Sequence, residues 1–173
     1  MNKNTFILTA IVGLMCLFLF KGLYNDPKKI QSPLIGKQFP QFKLNDLYLE
    51  IPLDNTSFID KKTIVNVWAS WCLECEREHS HLVKLSRNDD FDLVGINYKD
   101  QKDDAIGWLG MRGNPYRIII SDQSGDLALD LGVYGVPETY IIDENQTILF
   151  KHIGPINNTI IENDMMPLLV KNK

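Results

Sequence analysis

The chain has 173 residues, of which 45 % are hydrophobic, 10 % aromatic and 23 % charged, an ordinary globular composition with room for one domain and a sizeable core. That composition excludes intrinsic disorder and collagen, and three cysteines are too few for a disulfide-dense scaffold. Lys and Arg number 18 against 22 Asp and Glu, a net charge of −4, so no chain-wide basic footprint points to nucleic acid.

Phe6 to Phe20 runs without a charge, and continuing to Tyr24 admits only Lys21. At a helical rise of about 1.5 Å per residue the longer stretch covers about 28 Å, close to the ~30 Å hydrocarbon core of a bilayer. Phe20-Lys21-Gly22-Leu23-Tyr24 has no small-x-small cleavage pattern. Met15 stands before Cys16, where a lipoprotein processing site would place a small residue. The expectation is therefore a retained single-pass anchor over residues 1–25. Lys3 precedes it and Lys21, Lys28 and Lys29 follow it, so charge alone leaves its orientation open. The remainder carries 16 basic and 22 acidic side chains and would not adhere to anionic lipid. Residues 26–38, with Pro27, Ser32 and Pro33, read as a linker, and 39–173 as the folded domain.

Short extended pieces are expected between Phe39 and Phe58. Thr63–Trp68 is an apolar, β-branched run of the kind buried on both faces of a sheet. Leu73–Ser86 reads as a helix, Phe91–Ile96 as a strand, Asp103–Met111 as a helix ended by Gly113-Asn114-Pro115, and Arg117–Ile120 as a third strand. Asp122-Gln123-Ser124-Gly125 is turn chemistry, and Leu127–Leu131 a short helix stopped by Gly132. Thr139–Ile142 and Thr147–Phe150 flank Asp143–Gln146 as an antiparallel hairpin. Asn158 is positioned to cap a last helix that Pro167 shortens or kinks. The order is β-α-β-α-β-α-β-β-α, an α/β sandwich with a central mixed sheet flanked by helices and right-handed parallel crossovers.

The chemistry concentrates at Trp71-Cys72-Leu73-Glu74-Cys75. A Cys-x-x-Cys pair is shared by zinc sites and redox dithiols, and here it follows a buried strand and opens a helix. Thiols so spaced on a first helical turn reach disulfide distance. Cys72 falls at the helix N-terminus, where unpaired N–H groups stabilise a thiolate, and Cys75 one turn in and more buried. Cys72 is accordingly the expected nucleophile and Cys75 the resolving thiol. Structural zinc would need two further ligands, and the third cysteine, Cys16, lies in the anchor segment. A copper(I) site on Cys72, Cys75 and His79, hence a copper chaperone, is the alternative from a different functional class. His79 alone reads as a solvated helix residue. Residue 76 is Glu, so the C-x-x-C-H pattern of covalent haem attachment is absent, and no cofactor or resident metal is expected. The second constellation is Gly135-Val136-Pro137-Glu138-Thr139. Beside a dithiol, a cis Val136–Pro137 bond would offer the Val136 backbone to an extended substrate.

Together these features resemble the thioredoxin superfamily. The resemblance extends to the membrane-anchored DsbE/CcmG thiol:disulfide interchange proteins of cytochrome c maturation through Leu34–Lys37, Asn66–Cys72, Glu78-His79, Gly95–Asp100, Gly113–Tyr116 and Leu129–Thr139. It spans about residues 34–170 together with the anchor. It implies a thioredoxin-like domain in the periplasm, anchored in the inner membrane with a cytoplasmic N-terminus. The implied activity is that of a specific reductant, fed by an inner-membrane thiol donor of the DsbD/CcdA type. It would reduce the C-x-x-C-H disulfide of apocytochrome c, directly or through a maturation partner. A related anchored reductase with another client, such as oxidase assembly or sporulation, is a further alternative. Trp71 would then shield the dithiol and Tyr134 line the groove, with Val136 and Pro137 presenting the substrate edge. Glu78 and Glu138 match the family's acidic active-site residues. Leu73-Glu74 departs from the Pro-first pair common in relatives. Glu74, with Glu76 and Glu78, places negative charge near Cys72, which disfavours its thiolate and makes the dithiol more reducing. Acids in a first helical turn are also favoured by the macrodipole alone.

Overall fold

The computed structural model describes residues 2–23, 32–58 and 61–170. The chain divides into two units, Met1–Gln31 and Ser32–Lys173. In the first, helix α1 (Lys3–Leu23) has no acid in its first turn and Lys21 in its last. Its large apolar side chains, among them Leu8, Leu14, Leu17 and Phe18, are exposed. It is long and apolar enough to cross a membrane.

The second unit contains strands β1 (Lys43–Asp46), β2 (Pro52–Asp54), β3 (Thr63–Trp68), β4 (Asp92–Tyr98), β5 (Ile118–Asp122), β6 (Glu138–Ile142) and β7 (Ile148–Ile153). Helices α2 (Leu73–Leu85), α3 (Lys102–Arg112) and α4 (Asp126–Asp130) connect them, and α5 (Asn158–Ile160) and α6 (Met166–Leu169) close the chain. The strands form one mixed sheet in the order β2-β1-β5-β4-β3-β6-β7. β3, β4 and β5 run parallel, and β6 lies antiparallel to β3 with Val67 opposite Glu138. This register brings the end of β3 beside the start of β6, so the segments leaving Trp68 and entering Glu138 meet at one end of these two interior strands.

Every residue of β3 is buried, the polar Thr63 and Asn66 among them. Its period-2 alternation divides them between two cores. Ile64 and Trp68 join Leu82, Trp108, Leu109 and Tyr116 on the α2/α3 face, while Val65 and Val67 join Phe39, Phe42, Phe58 and Tyr140 on the other. Trp68 is the keystone of the first core, 5.2 Å from Trp108 and stacked 5.7 Å from Tyr116 between ring centroids. Gly95 on β4 must be glycine: a Cβ there would lie 2.8 Å from Trp68 Nε1 and 3.0 Å from Tyr116 Cγ.

The structure corrects several expectations in detail. The extended pieces expected before residue 58 are present, and they form an antiparallel hairpin, β1–β2, that joins the sheet through β1 and β5. Of the expected linker, 26–31 lie outside the described residues. Residues 36–38 are tied to the β6–β7 hairpin, Gly36 N–H donating to the Ile148 carbonyl and Ile148 N–H to that of Lys37. The last helix is capped by Asn157, one residue before the expected Asn158, its side chain accepting the Ile160 N–H. A π-helical turn at Ile161–Met165 runs between α5 and α6 without a break, and Pro167 follows it directly, an interruption of the α-helical ladder of the kind proline imposes.

Candidate active site

Cys72 is the N-cap of α2, in extended conformation, and Cys75 lies one turn inside. The two form a disulfide with Cα atoms 5.3 Å apart. The Cys75 N–H donates to Cys72 Sγ at 3.0 Å, so the sulfur occupies the position in which a capping oxygen normally satisfies a free helix N–H. Cys72 is 6 % exposed and Cys75 2 %, the more accessible sulfur being the one at the cap. The turn before it is held from outside the helix. Asp100, buried after β4, accepts from Ser70 N–H (2.6 Å), Ser70 Oγ (2.7 Å), Asn97 Nδ2 (2.9 Å) and Gln101 N–H (2.9 Å). Trp71 donates its indole N–H to the Lys99 carbonyl at 3.1 Å. The Trp71 ring and the Leu73 side chain beside it are well exposed, at 59 % and 68 %.

Beneath the pair, Cys75, Glu78, His79, Leu82 and Leu85 make the buried face of α2. Glu78 follows Cys75 by three residues, the spacing of neighbours on a helix surface. Its carboxylate is fully buried and accepts from Asn66 Nδ2 and from the Ile156 N–H, both at 2.8 Å. Asn66 points to this face because it shares the β3 register of Ile64 and Trp68, and it also bonds Thr139 Oγ1 and the Tyr116 hydroxyl. Burial lifts the Glu78 carboxyl to about 7, against the pull of its two hydrogen bonds. The other acids of the helix carry counter-ions: Glu74 pairs with Arg77 at 2.6 Å and Glu76 with Arg112 at 2.8 Å. His79 differs from the solvated residue expected. It is buried, edge-on to Trp108, with Nε2 2.9 Å from the Gly113 carbonyl, and burial holds its imidazole below the usual range.

Across the sheet edge, the Val136–Pro137 peptide is cis. Val136 is partly buried against both cores, and the β3–β6 register brings its segment to the same end of the sheet as the turn that carries Cys72. Neither the Val136 N–H nor its carbonyl makes a backbone hydrogen bond among the described residues. Tyr134, at 89 % exposure, stands in the same segment. Glu138 faces the other side of the sheet from Glu78, within the second core, and is fully buried. It accepts from the Tyr134 N–H (2.8 Å), from the Tyr140 hydroxyl (2.8 Å) and from Lys151 Nζ (3.0 Å). Burial, reinforced by the neighbouring Glu138 carboxylate, pushes the Tyr140 hydroxyl far above its ordinary value.

Of the residues expected at the site, the structure places Trp71, Cys72, Glu74, Cys75 and Glu78 in and before α2, and Tyr134, Val136, Pro137 and Glu138 in the segment that enters β6. Sequence reading missed Asn66, Asp100 and Lys151. Asn66 carried a signal, a lone amide in a run otherwise fit for complete burial. Asp100 and Lys151 carried none, because an acid after a strand and a lysine in an edge strand both look solvated.

The Redoxin family matches this chain over residues 34–166. The thiol:disulfide interchange protein DsbE of Vibrio cholerae is 39 % identical over 178 residues, covering 99 % of this chain and 96 % of that protein. DsbE of Pseudomonas aeruginosa is 42 % identical over 162 residues, with 92 % and 88 % covered, and DsbE of Escherichia coli 42 % over 149 residues, with 85 % and 80 % covered. Among solved structures, the thioredoxin domain of a thiol-disulfide oxidoreductase from Bacteroides vulgatus shares the fold with a TM-score of 0.69 at 16 % identity, covering 80 % of this chain and all of that one. A DsbF homologue from Corynebacterium diphtheriae does so at 0.67 and 20 %, covering 80 % and 94 %. A capping cysteine joined to its partner one turn in supplies the couple that thiol–disulfide exchange requires, and the chain belongs to the Redoxin family, with the DsbE thiol:disulfide interchange proteins, as a thiol–disulfide oxidoreductase.

Proposed function

We propose that this oxidoreductase is an inner-membrane-anchored reductant of cytochrome c maturation with its catalytic domain in the periplasm. Its substrate is the C-x-x-C-H disulfide of apocytochrome c, or of a maturation partner that relays to it. The observation that carries the reading is the Cys72–Cys75 couple at the start of α2, with the unpaired backbone of Val136 in the segment that enters the neighbouring strand β6. The names of the full-length relatives and the apolar helix α1 support it.

In the reduced chain, the Cys72 thiolate attacks one substrate sulfur. A Cys72–substrate disulfide forms, the substrate S–S bond breaks, and the departing thiolate takes a proton. Cys75, deprotonated, then attacks Cys72 Sγ. The Cys72–Cys75 bond forms and the second substrate thiol leaves. Two electrons have passed to the substrate and the chain is left as the disulfide seen here. A membrane thiol donor of the DsbD/CcdA type reverses these steps to restore the dithiol. Glu78, next to Cys75 and with a carboxyl lifted to about 7, is placed to take the Cys75 proton near neutral pH. The Val136 backbone, Pro137 and Tyr134 hold the extended substrate, Trp71 covers the couple, and Glu138 supports the edge. Glu74 acts on the Cys72 thiolate only as a neutralised pair with Arg77, so its tuning is weak.

The test is Cys75→Ser in the full chain, offered an oxidised C-x-x-C-H peptide. A covalent complex through Cys72 is expected, lost in Cys72→Ser, together with a wild-type reduction potential well below the about −120 mV of a strong oxidant such as DsbA. No complex, or a potential near that of DsbA, would overturn the assignment.

A further inference from the structure

Lys151 sits on β7 opposite Tyr140, at a position where an edge-strand lysine would be expected to reach solvent. Instead its side chain is 4 % exposed. Nζ donates to the Gly132 carbonyl at 2.7 Å and to Glu138 Oε2 at 3.0 Å, and it lies 5.4 Å from the Tyr134 ring centroid and 5.3 Å from that of Tyr140. Gly132 and Glu138 are the two ends of the segment that carries Tyr134, Val136 and Pro137. One ammonium therefore fastens both ends of that segment and underlies its exposed aromatic ring.

Glu138 reinforces the tie from its other oxygen, through the Tyr134 N–H. A buried carboxylate with this many donors is stable only if its counter-charge stays in place, and the counter-charge here is Lys151. The dithiol side of the site is fixed independently, by Asp100 on the Ser70 turn and by Glu78 on the opposite face of the sheet.

We propose that Lys151 is a positioning residue that sets the geometry of segment 132–138 for an extended protein substrate, and that it acts on recognition and not on sulfur chemistry. This rests on the reading of Val136 and Pro137 as the pairing edge. An extended chain that pairs with the edge and lies against Tyr134 depends on Lys151. A small disulfide that needs only the cysteines does not.

The pre-reduced full chain is mixed in single turnover with increasing oxidised C-x-x-C-H peptide, and separately with hydroxyethyl disulfide. In Lys151→Met the half-saturating peptide concentration should rise about tenfold or more, the scale of one lost hydrogen bond to a charged group. The limiting rate, and the rate with hydroxyethyl disulfide, should stay within about twofold. Lys151→Gln keeps an N–H for the Gly132 carbonyl but no charge for Glu138, and should fall between the two. It carries the test alone if Lys151→Met does not fold by circular dichroism. Wild-type half-saturation in the folded variants, or a parallel loss with both substrates, would overturn the proposal. If the wild-type chain leaves the C-x-x-C-H peptide oxidised, the client assignment fails. The comparison is then made with insulin as the extended substrate, where the same split is expected and its absence is equally fatal.

Discussion

Glu78→Gln should remove a pH dependence of stability that the native chain carries between about pH 4.5 and about pH 7. Burial raises the Glu78 carboxyl from 4.5 to about 7, although the Asn66 amide and the Ile156 N–H both favour its charged form. In that window the folded chain holds a proton that the unfolded chain has released. Stability therefore falls as pH rises, by about 3 kcal/mol in all, and levels off above the folded value. His79 works in the opposite direction, since burial lowers its imidazole, but it is present in both chains and cancels in their difference. The amide of the variant turns an N–H toward one of two donors, a constant offset of about 1–3 kcal/mol that moves the curve without changing its slope. The assay is urea unfolding of the oxidised full chain in mild detergent, followed by tryptophan fluorescence, across about pH 4.5 to about pH 8. The wild-type chain should lose about 3 kcal/mol relative to the variant over that range. Parallel curves, agreeing to within about 0.5 kcal/mol at every pH, would refute the claim that desolvation governs this carboxyl.

Two further substitutions probe how the site is held. Gly95→Ala forces a Cβ to 2.8 Å from Trp68 Nε1 and 3.0 Å from Tyr116 Cγ in a close-packed aromatic stack. It should cost about 1–3 kcal/mol of overpacking, measured by urea unfolding, and an unchanged midpoint would show that the stack yields freely. Asp100→Asn sets an N–H₂ group among four donors, two of them from Ser70. A loss of about 3 kcal/mol is expected, with faster alkylation of reduced Cys72 by iodoacetamide as the turn loosens. Wild-type values of both would remove Asp100 from the support of the nucleophile.

Legibility from sequence followed the strength of local patterns. β3 was readable because six residues with hardly a polar side chain suit a strand covered on both faces, and α2 because its cysteine pair and apolar distal half mark both ends of a helix. The Cys72–Cys75 couple was readable for the same reason, its whole geometry lying within one helical turn. The β1–β2 hairpin was weakly legible, since three- and four-residue strands carry too few alternations to set a period. The polar supports were hardest to see. Whether Asp100 or Lys151 meets solvent depends on which segment packs over it, and their most distant partners, Ser70 and Gly132, lie 30 and 19 residues away. His79 shows the same effect, since its place on α2 says helix but only the packing of α3 says buried.

A domain whose only disulfide forms and opens in each round of exchange must hold its shape with that bond open. The Cys72–Cys75 bridge closes a loop of sequence separation 3, for which the chain-entropy relation gives a constraint of about 2 kcal/mol. That is less than the cost of about 3–5 kcal/mol for truncating one large buried aromatic such as Trp68. The contacts that shape the site do not pass through sulfur either. Asp100 holds the Ser70 turn, Glu78 ties α2 to β3 and to Ile156, and Lys151 ties Gly132 to Glu138. Among the described residues, only the Cys75 N–H donates to a sulfur of the couple, and a Cys72 thiolate would accept that bond more strongly than a disulfide sulfur does. Opening the bridge thus removes a minor constraint and strengthens the one contact that feels it, which allows the couple to turn over on a fold that stays fixed.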